Sequence, residues 1–133
     1  MPVQGARHAP ETCLARRNRH RRLVRGEPAR RAATCWLSVT RDGRVAFVSN
    51  TGSGTLSAYE VSASGALSLS SAVAAKVSGS GPIDAALSPD GSFLYVDDSA
   101  RGRILSFTVQ GAGLQSLATV SGLPATIQGI AVE

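Results

Sequence analysis

Three aspartates in the second half of the chain are the residues best suited to acid–base chemistry. Asp97 and Asp98 are adjacent and follow an apolar run, and Asp84 comes shortly after Gly81-Pro82. Paired carboxylates can bind a cation or serve as a general base. They can also accept hydrogen bonds from backbone amides where a strand enters a loop, which is the interpretation that we favour for Asp97 and Asp98. Asp84 is the best candidate for an acid that faces a ligand, but the interpretation that we favour for it is a surface-loop carboxylate.

Other catalytic arrangements are not indicated. Both histidines, His8 and His20, lie near the amino terminus, and neither a Gly-x-Ser-x-Gly motif nor a phosphate-binding Gly-x-x-x-x-Gly-Lys loop occurs. Cys13 and Cys35 lack the spacing of metal ligands, and we expect Cys35 to be a small buried apolar residue. Trp36 could line a sugar site, but a single tryptophan at a strand start is more typical of a core. We therefore predict neither a cofactor nor a metal.

The net positive charge of the chain comes from its first 33 residues. The net charge is +5, whereas residues 1–33 contain nine arginines and two glutamates, a charge of +7. Such an arm could bind nucleic acid through its phosphates or be a disordered, solvated tail. We favour the tail, because no aromatic side chain is interleaved for base stacking. The abrupt change of composition also suggests that the arm is foreign to the fold that follows.

Neither membrane insertion nor secretion is indicated by the sequence. No run approaches the roughly 20 consecutive apolar residues of a membrane-spanning helix. No apolar segment follows the arginines as it would in a secretory signal. We therefore expect a cytoplasmic protein with no membrane partner.

A sequence repeat occupies the remaining hundred residues. Shifting the chain by 48 positions places Asp42-Gly43 on Asp90-Gly91, and similar residues match from 37 to 72 without a gap. Runs of β-branched and aromatic residues alternate with gaps rich in Gly, Ser and Asp, so each unit predicts four short strands. The predicted strands are 36–40, 44–50, 55–62 and 67–73 in the first unit, and 84–88, 92–98, 103–110 and 115–120 in the second.

Six residues are predicted to shape the turns between these strands. Aspartate favours turn formation, and glycine supplies the positive φ that tight turns require. These residues are Asp42, Gly43, Gly54, Asp90, Gly91 and Gly102.

The second strand of each unit is apolar on both faces, at 45–48 and 93–96. Such a strand is buried between two neighbouring sheets, and four-stranded sheets stacked in series are the blades of a β-propeller. We therefore predict an all-β partial propeller made of antiparallel meanders. The predicted organisation is a disordered basic arm at 1–33 and a propeller region at 34–133, with blades at 36–73 and 84–120 and the first strand of a further blade at 127–132.

The segments 36–59 and 81–96 resemble the blade consensus of the seven-bladed lactonase family, which includes 6-phosphogluconolactonase-like proteins and carboxymuconate cyclases. The likeness extends over about residues 34–133 and is shared with YVTN-type propeller repeats. It implies about two of seven blades, from a propeller whose complete form hydrolyses a sugar lactone. No residue matches the His, Glu and Arg positions expected of cyclase-type members, so the resemblance assigns no catalytic residue.

Two hypotheses for function follow. The chain is either part of a lactonase-like enzyme, or a non-enzymatic binding or scaffold module that completes a ring by self-association. A blade buries its faces against its neighbours, and about three repeats are usually needed for stability. We therefore expect the isolated chain to be inactive and to associate through its exposed blade faces. Three copies would supply about six blades.

Overall fold

The computed structural model describes residues 33–77 and 81–133, which form eight β-strands and one short 3₁₀ turn at Ser99–Arg101. The predicted all-β class is confirmed. Residues 1–32, and with them the predicted disordered arm, lie outside the described part of the chain. The strands are β1 (Thr34–Val39), β2 (Val45–Asn50), β3 (Thr55–Val61), β4 (Leu67–Lys76), β5 (Pro82–Leu87), β6 (Phe93–Asp98), β7 (Arg103–Gln110) and β8 (Gly113–Ser121).

Each half of the described chain is an antiparallel meander. β1–β2–β3–β4 form one sheet and β5–β6–β7–β8 form the other, with sequence neighbours paired throughout. We call these sheets the first blade and the second blade. The first three strands of the second blade each begin 48 residues after their counterparts in the first, so the sequence repeat is also a structural repeat.

The two blades pack face to face around one apolar core. β2 is buried along its whole length, as its apolar sequence predicts. In β6, by contrast, Phe93 and Tyr95 are only half-buried, because no third sheet within the described residues covers the outer face of the second blade. The core comprises Val45, Phe47, Leu56, Ala58 and Val77 with Ala85, Leu94, Val96, Leu105 and Phe107.

The first strands of the two blades, β1 and β5, lie side by side. Ser38 Oγ donates a hydrogen bond to the Ala85 carbonyl at 2.7 Å, and Thr51 Oγ1 donates one to the Pro82 carbonyl at 2.8 Å. The bond from Thr51 reaches the residue at which β5 begins, whereas the bond from Ser38 lies near the end of β1. We call the end at which β1 and β5 begin the entry end. The opposite end, where β1 turns into β2 and β5 into β6, is the turn end.

Residues 127–132 do not form the predicted strand. Among the described residues, no strand follows Ser121. The segment crosses the entry end of the second blade, where the Thr126 amide donates to the Ser99 carbonyl at 3.0 Å, and reaches β5 at Ile130. A strand needs a paired neighbour to satisfy its backbone groups, and the β-propensity of this segment does not supply one.

Candidate functional site

At the turn end, both blades use the same four-residue turn with the same hydrogen bonds. In the first blade Thr40 Oγ1 donates to Asp42 Oδ1 at 2.6 Å, and the Arg44 amide donates to the same oxygen at 3.1 Å. The corresponding distances in the second blade are 2.5 and 3.0 Å. The second-blade residues in these roles are Ser88, Asp90 and Ser92.

These hydrogen bonds stabilise the ionised forms of both turn aspartates. The threonine hydroxyl, and after it the Arg44 amide, hold the pKa of Asp42 below its usual value. In Asp90 the serine hydroxyl contributes most, and the pKa falls to about 2. Gly43 and Gly91 complete the two turns with φ angles of +72° and +74°. The structure therefore places both aspartates in turn formation.

Gly54 and Gly102 lie at the entry end, just before β3 and β7. Their φ angles are +63° and +55°. A β-carbon on Gly102 would collide with the backbone carbonyl of Leu123. Gly102 therefore allows the segment that follows β8 to cross close to the blade.

Asp84 is buried at the entry end of β5, and both of its carboxylate oxygens accept backbone hydrogen bonds. The Ala85 amide donates to Oδ1 at 2.7 Å, and the Ile130 amide donates to Oδ2 at 3.1 Å. Asp84 is 7% exposed. Asp84 therefore joins the second blade to the C-terminal segment. Because each carboxylate oxygen has a second lone pair, Asp84 can still accept a proton or a ligand bond.

Asp97 and Asp98 are buried at the end of β6, where the charges of Asp84 and Asp98 both act on Asp97. We call the three residues the carboxylate cluster. Asp98 Oδ2 accepts a hydrogen bond from Arg103 Nε at 2.7 Å, an ion pair whose carboxylate is fully buried. Asp97 lies opposite Asp84 in the β5–β6 ladder. Within the described part of the chain, Oδ1 of Asp97 and Oδ1 of Asp98 have no hydrogen-bond partner.

The two adjacent aspartates therefore differ in how their charge is compensated. Burial raises the pKa of Asp97 above its usual value of 3.8, and the nearby charges of Asp84 and Asp98 raise it further. Asp97 consequently holds a proton more readily than an exposed aspartate does. Among the described residues, no backbone amide donates to Asp97 or Asp98, although such a bond was expected for both. The amide-bound member of the cluster is Asp84.

The first blade has neutral side chains where the second blade has Asp97 and Asp98. Ser49 Oγ accepts a hydrogen bond from the Trp36 amide at 3.1 Å. Asn50 Nδ2 donates to Ser57 Oγ at 2.8 Å. This network contains no charge, and its members are matched as donor and acceptor.

A cavity of about 550 Å³ opens at the entry end beside the carboxylate cluster. Two further cavities, of about 450 and 540 Å³, lie at the turn end, where the aspartates are exposed and bound within their turns. The entry-end cavity is the one with a buried carboxylate in its wall. Its lining residues are Cys35, Trp36, Ile83, Asp84, Gln128 and Gly129.

Trp36 and Cys35 line this cavity rather than the core, so the prediction that both are buried is wrong. Trp36 is 48% exposed, and Cys35 is exposed as well. The β1–β2 pairing shifts register between Thr34 and Trp36. At this end of β1 the neighbouring space is the cavity rather than the opposite blade.

Residues 33–77 and 81–133 contain no group of three or more His, Cys, Asp or Glu side chains arranged to hold a metal ion. No helix in the same ranges is both long and apolar enough to cross a membrane.

The fold and the repeat define the class of protein. Four-stranded meander sheets stacked face to face, with each strand set repeated after 48 residues, are the blades of a β-propeller. The family model described as lactonase, 7-bladed β-propeller matches residues 13–126, so its match begins within the basic arm. The chain belongs to this lactonase family, which confirms the resemblance of segments 36–59 and 81–96.

Solved structures share this fold. A protein from Lactobacillus plantarum has a TM-score of 0.62 and 24% identity over 69% of this chain and 27% of its own. The periplasmic gluconolactonase PpgL of Pseudomonas aeruginosa has a TM-score of 0.57 and 25% identity over 72% and 28%. A Bacteroides uniformis protein provisionally described as a 6-phosphogluconolactonase has a TM-score of 0.59 and 18% identity over 66% of this chain and 26% of its own.

The chain spans about a quarter of the length of these three proteins. No curated protein sequence matches it significantly.

Sequence reasoning missed three residues of this site: Arg103, Gln128 and Ile130. One signal for Arg103 was available, because the 48-residue shift places it on Thr55, whose hydroxyl contacts Asn50 at 3.3 Å. The residue five positions after Asn50, and likewise after Asp98, is its cross-strand partner. The other two residues reach the site through an irregular segment, which has no periodicity to predict its path.

Proposed function

We propose that the chain forms part of a lactonase-like propeller that hydrolyses a sugar lactone at the entry-end cavity. Membership of the lactonase family supports this proposal, and one structural neighbour is a gluconolactonase. The observation that carries it is the buried carboxylate of Asp84 in the cavity wall. Because the chain spans about a quarter of its neighbours' length, we expect activity from the complete propeller and not from the isolated chain.

The proposed chemistry uses Asp84 as a general base. A water molecule attacks the lactone carbonyl carbon, and Asp84 accepts one of its protons. The ring carbon–oxygen bond then breaks, and the proton passes to the departing ring oxygen, which regenerates the carboxylate. Gln128 also lines the cavity, and its amide group can donate a hydrogen bond to the oxyanion that forms on the carbonyl.

A chimeric propeller tests this proposal. Residues 34–133 would replace the matching blades of the Pseudomonas aeruginosa gluconolactonase, and lactone hydrolysis would be measured above the spontaneous rate. We expect Asp84→Asn to lower kcat at least about 100-fold, the usual contribution of a general base. The turn variant Asp90→Asn is the matched control and should retain full activity. An active chimera whose rate is unchanged by Asp84→Asn would contradict the role of Asp84.

A second candidate function is a non-enzymatic scaffold in which copies of the chain complete a ring. Apolar side chains are exposed on the first strand of the first blade, where Leu37 and Val39 are 52% and 46% exposed. They are also exposed on the last strand of the second blade, where Leu117 and Val120 are 58% and 60% exposed. Contact between these two surfaces would be head-to-tail, and such contacts close into rings when the rotation per copy allows it.

Light scattering coupled to gel filtration distinguishes this candidate. A discrete oligomer, such as a trimer with six blades, would support the scaffold, and Val120→Lys should dissociate it. The variant Ser64→Lys places the same charge on an exposed turn and should leave the oligomer intact. A stable monomer that unfolds cooperatively would contradict the scaffold.

A further inference from the structure

The C-terminal segment forms one wall of the entry-end cavity, and Asp84 holds it in place. Gln128 and Gly129 line the cavity, and the next residue, Ile130, donates its amide to Asp84 Oδ2 at 3.1 Å. The nearest backbone bond before them joins the Thr126 amide to the 3₁₀ turn. Among the described residues, the hydrogen bond that holds the wall beyond Thr126 is the one to Asp84 Oδ2.

The carboxylate cluster contains three buried acids, of which two have compensating partners. Arg103 pairs with Asp98, and two backbone amides bind Asp84. Asp97 faces Asp84 across the ladder, is 1% exposed, and has an Oδ1 without a partner among the described residues. A buried carboxylate in that situation is costly to ionise.

We propose that Asp97 is protonated while the C-terminal wall is in place, and that loss of this proton releases the wall from Asp84. An ionised Asp97 would repel the Asp84 carboxylate opposite it, and such repulsion is strong where water is excluded. The bond from the Ile130 amide is the weakest attachment in the cluster, because it is the longer of the two that Asp84 accepts. Asp97 thus acts as a pH-sensitive switch that controls the position of the C-terminal wall, whatever ligand the cavity binds.

The other charged groups around Asp97 agree with this assignment. β5 contributes Asp84, β6 contributes Asp98 and β7 contributes Arg103, which is paired with Asp98. The 3₁₀ turn and the C-terminal segment contribute Arg101 and Glu133, both of which are exposed. β8 carries no charged residue. Burial and the two neighbouring carboxylates raise the pKa of Asp97, so the wall is held at low pH and released as the pH rises.

Trp36 provides a direct readout of the wall. It is the single tryptophan of the chain, and it lines the same cavity as Gln128 and Gly129. The emission of the full chain would be recorded between pH 3 and 9 in a Cys35→Ser background, which removes the neighbouring thiol. Circular dichroism at each pH would show whether the strands persist.

In the parent chain we expect one transition to longer wavelength above pH 3.8, with no change in strand content. Asp97→Asn should abolish the transition and keep the low-pH spectrum at all pH values. Asp84→Asn removes the charge that an ionised Asp97 would repel, so this variant should show no transition either. Asp90→Asn, a change in an exposed turn, should leave it unmoved.

Three results would overturn the proposal that ionisation of Asp97 releases the C-terminal wall. The first is a parent chain without a transition. The second is an Asp97→Asn variant that shows the transition at an unchanged midpoint, which would assign it to another group. The third is a loss of strand signal that coincides with the fluorescence change, since global unfolding would then be the cause.

Discussion

The two blades are alike at the turn end and differ at the entry end. Their turns use the same side-chain and backbone hydrogen bonds, with distances that agree within about 0.1 Å. At the entry end, the first blade buries the neutral pair Ser49 and Asn50, whereas the second buries Asp97 and Asp98. The turn end therefore carries what both blades need in order to fold, and the entry end carries what only one of them can do chemically.

The two entry ends should contribute differently to the free energy of unfolding. The buried amide of Asn50 and hydroxyl of Ser57 bond each other and are satisfied, whereas a buried carboxylate requires a cation or several donors. The second blade supplies Arg103 for one of its two adjacent acids and nothing described for Asp97. Proteins depart from ordinary packing rules most often at functional sites, which is why we place the chemistry in the second blade.

The largest difference between the blades should appear when Arg103 is replaced. Arg103→Met leaves Asp98 buried without its cation, and breaking a buried ion pair in this way lowers the free energy of unfolding by about 3 kcal/mol. The matched change in the first blade, Thr55→Val, removes two neutral hydrogen bonds, those with Asn50 and Ser53, and should cost about 1 to 2 kcal/mol. Urea denaturation of the two variants measures both values. Equal losses would show that the entry ends are energetically the same.

Replacement of Asp97 should raise the free energy of unfolding, whereas replacement of Arg103 lowers it. Asp97→Asn removes a buried acid without a partner and should raise the free energy of unfolding at pH 7 by about 1 kcal/mol. The pKa of Asp97 is raised in the folded state, so its penalty is absent below pH 3.8, grows as the pH rises and is complete above the folded pKa. The gain should therefore disappear at low pH, as thermal melts at several pH values would show.

Ser49→Asp introduces the same charge into the first blade as a matched control. It should lower the melting temperature at neutral pH and less so in acid, because the neighbouring network offers no cation. The electrostatic difference between the blades would be contradicted if Asp97→Asn and Ser49→Asp each shifted the melting temperature, relative to the parent chain, by the same amount at every pH.

Glycine substitutions at the turn end should affect both blades equally. Gly43 and Gly91 have nearly the same positive φ and open space around the position of a β-carbon. Alanine at either site therefore meets backbone strain alone, which costs about 1 kcal/mol. Thermal melts of Gly43→Ala and Gly91→Ala should give matching shifts, and a clear inequality would mean that the turn ends are not equivalent.

The smallest effect should come from the turn aspartates. Both have a lowered pKa in the folded state, to about 2 for Asp90. Their stabilising contribution is therefore present above pH 3.8 and is lost as the pH falls through the folded pKa. Asp42→Asn and Asp90→Asn should each weaken the pH dependence of the melting temperature between pH 4 and 2. If a variant has the same pH dependence of the melting temperature as the parent chain, the aspartate of that turn does not contribute to it.

The blades themselves could be predicted from the sequence, because they depend on local signals. Alternating strand and turn residues, and a register repeated after 48 positions, place all eight strands to within a few residues. The turns depend on residues two to five apart, such as Thr40 and Asp42. Such short-range features are fixed by the sequence next to them.

The candidate site could be predicted only in part, because it depends on long-range contacts. Asp84 is identifiable from its place near a strand start, but its bond to Ile130 spans 46 residues. Trp36 was expected in the core because it is a single tryptophan at a strand start, yet it lines the cavity at the start of β1 and is exposed. The strand expected at 127–132 has suitable residues, but pairing depends on a neighbour that local sequence does not determine.

The ionisation of Asp97 tests the central difference between the blades most directly. Nuclear magnetic resonance can follow the side-chain carboxyl carbons of Asp97 and Asp90 in one pH titration of the full chain. We predict that Asp97 titrates above 3.8 and Asp90 at about 2, on opposite sides of the ordinary value. An Asp97 that titrates at or below 3.8 would contradict the account, because the second blade would then bury no carboxyl group that retains its proton.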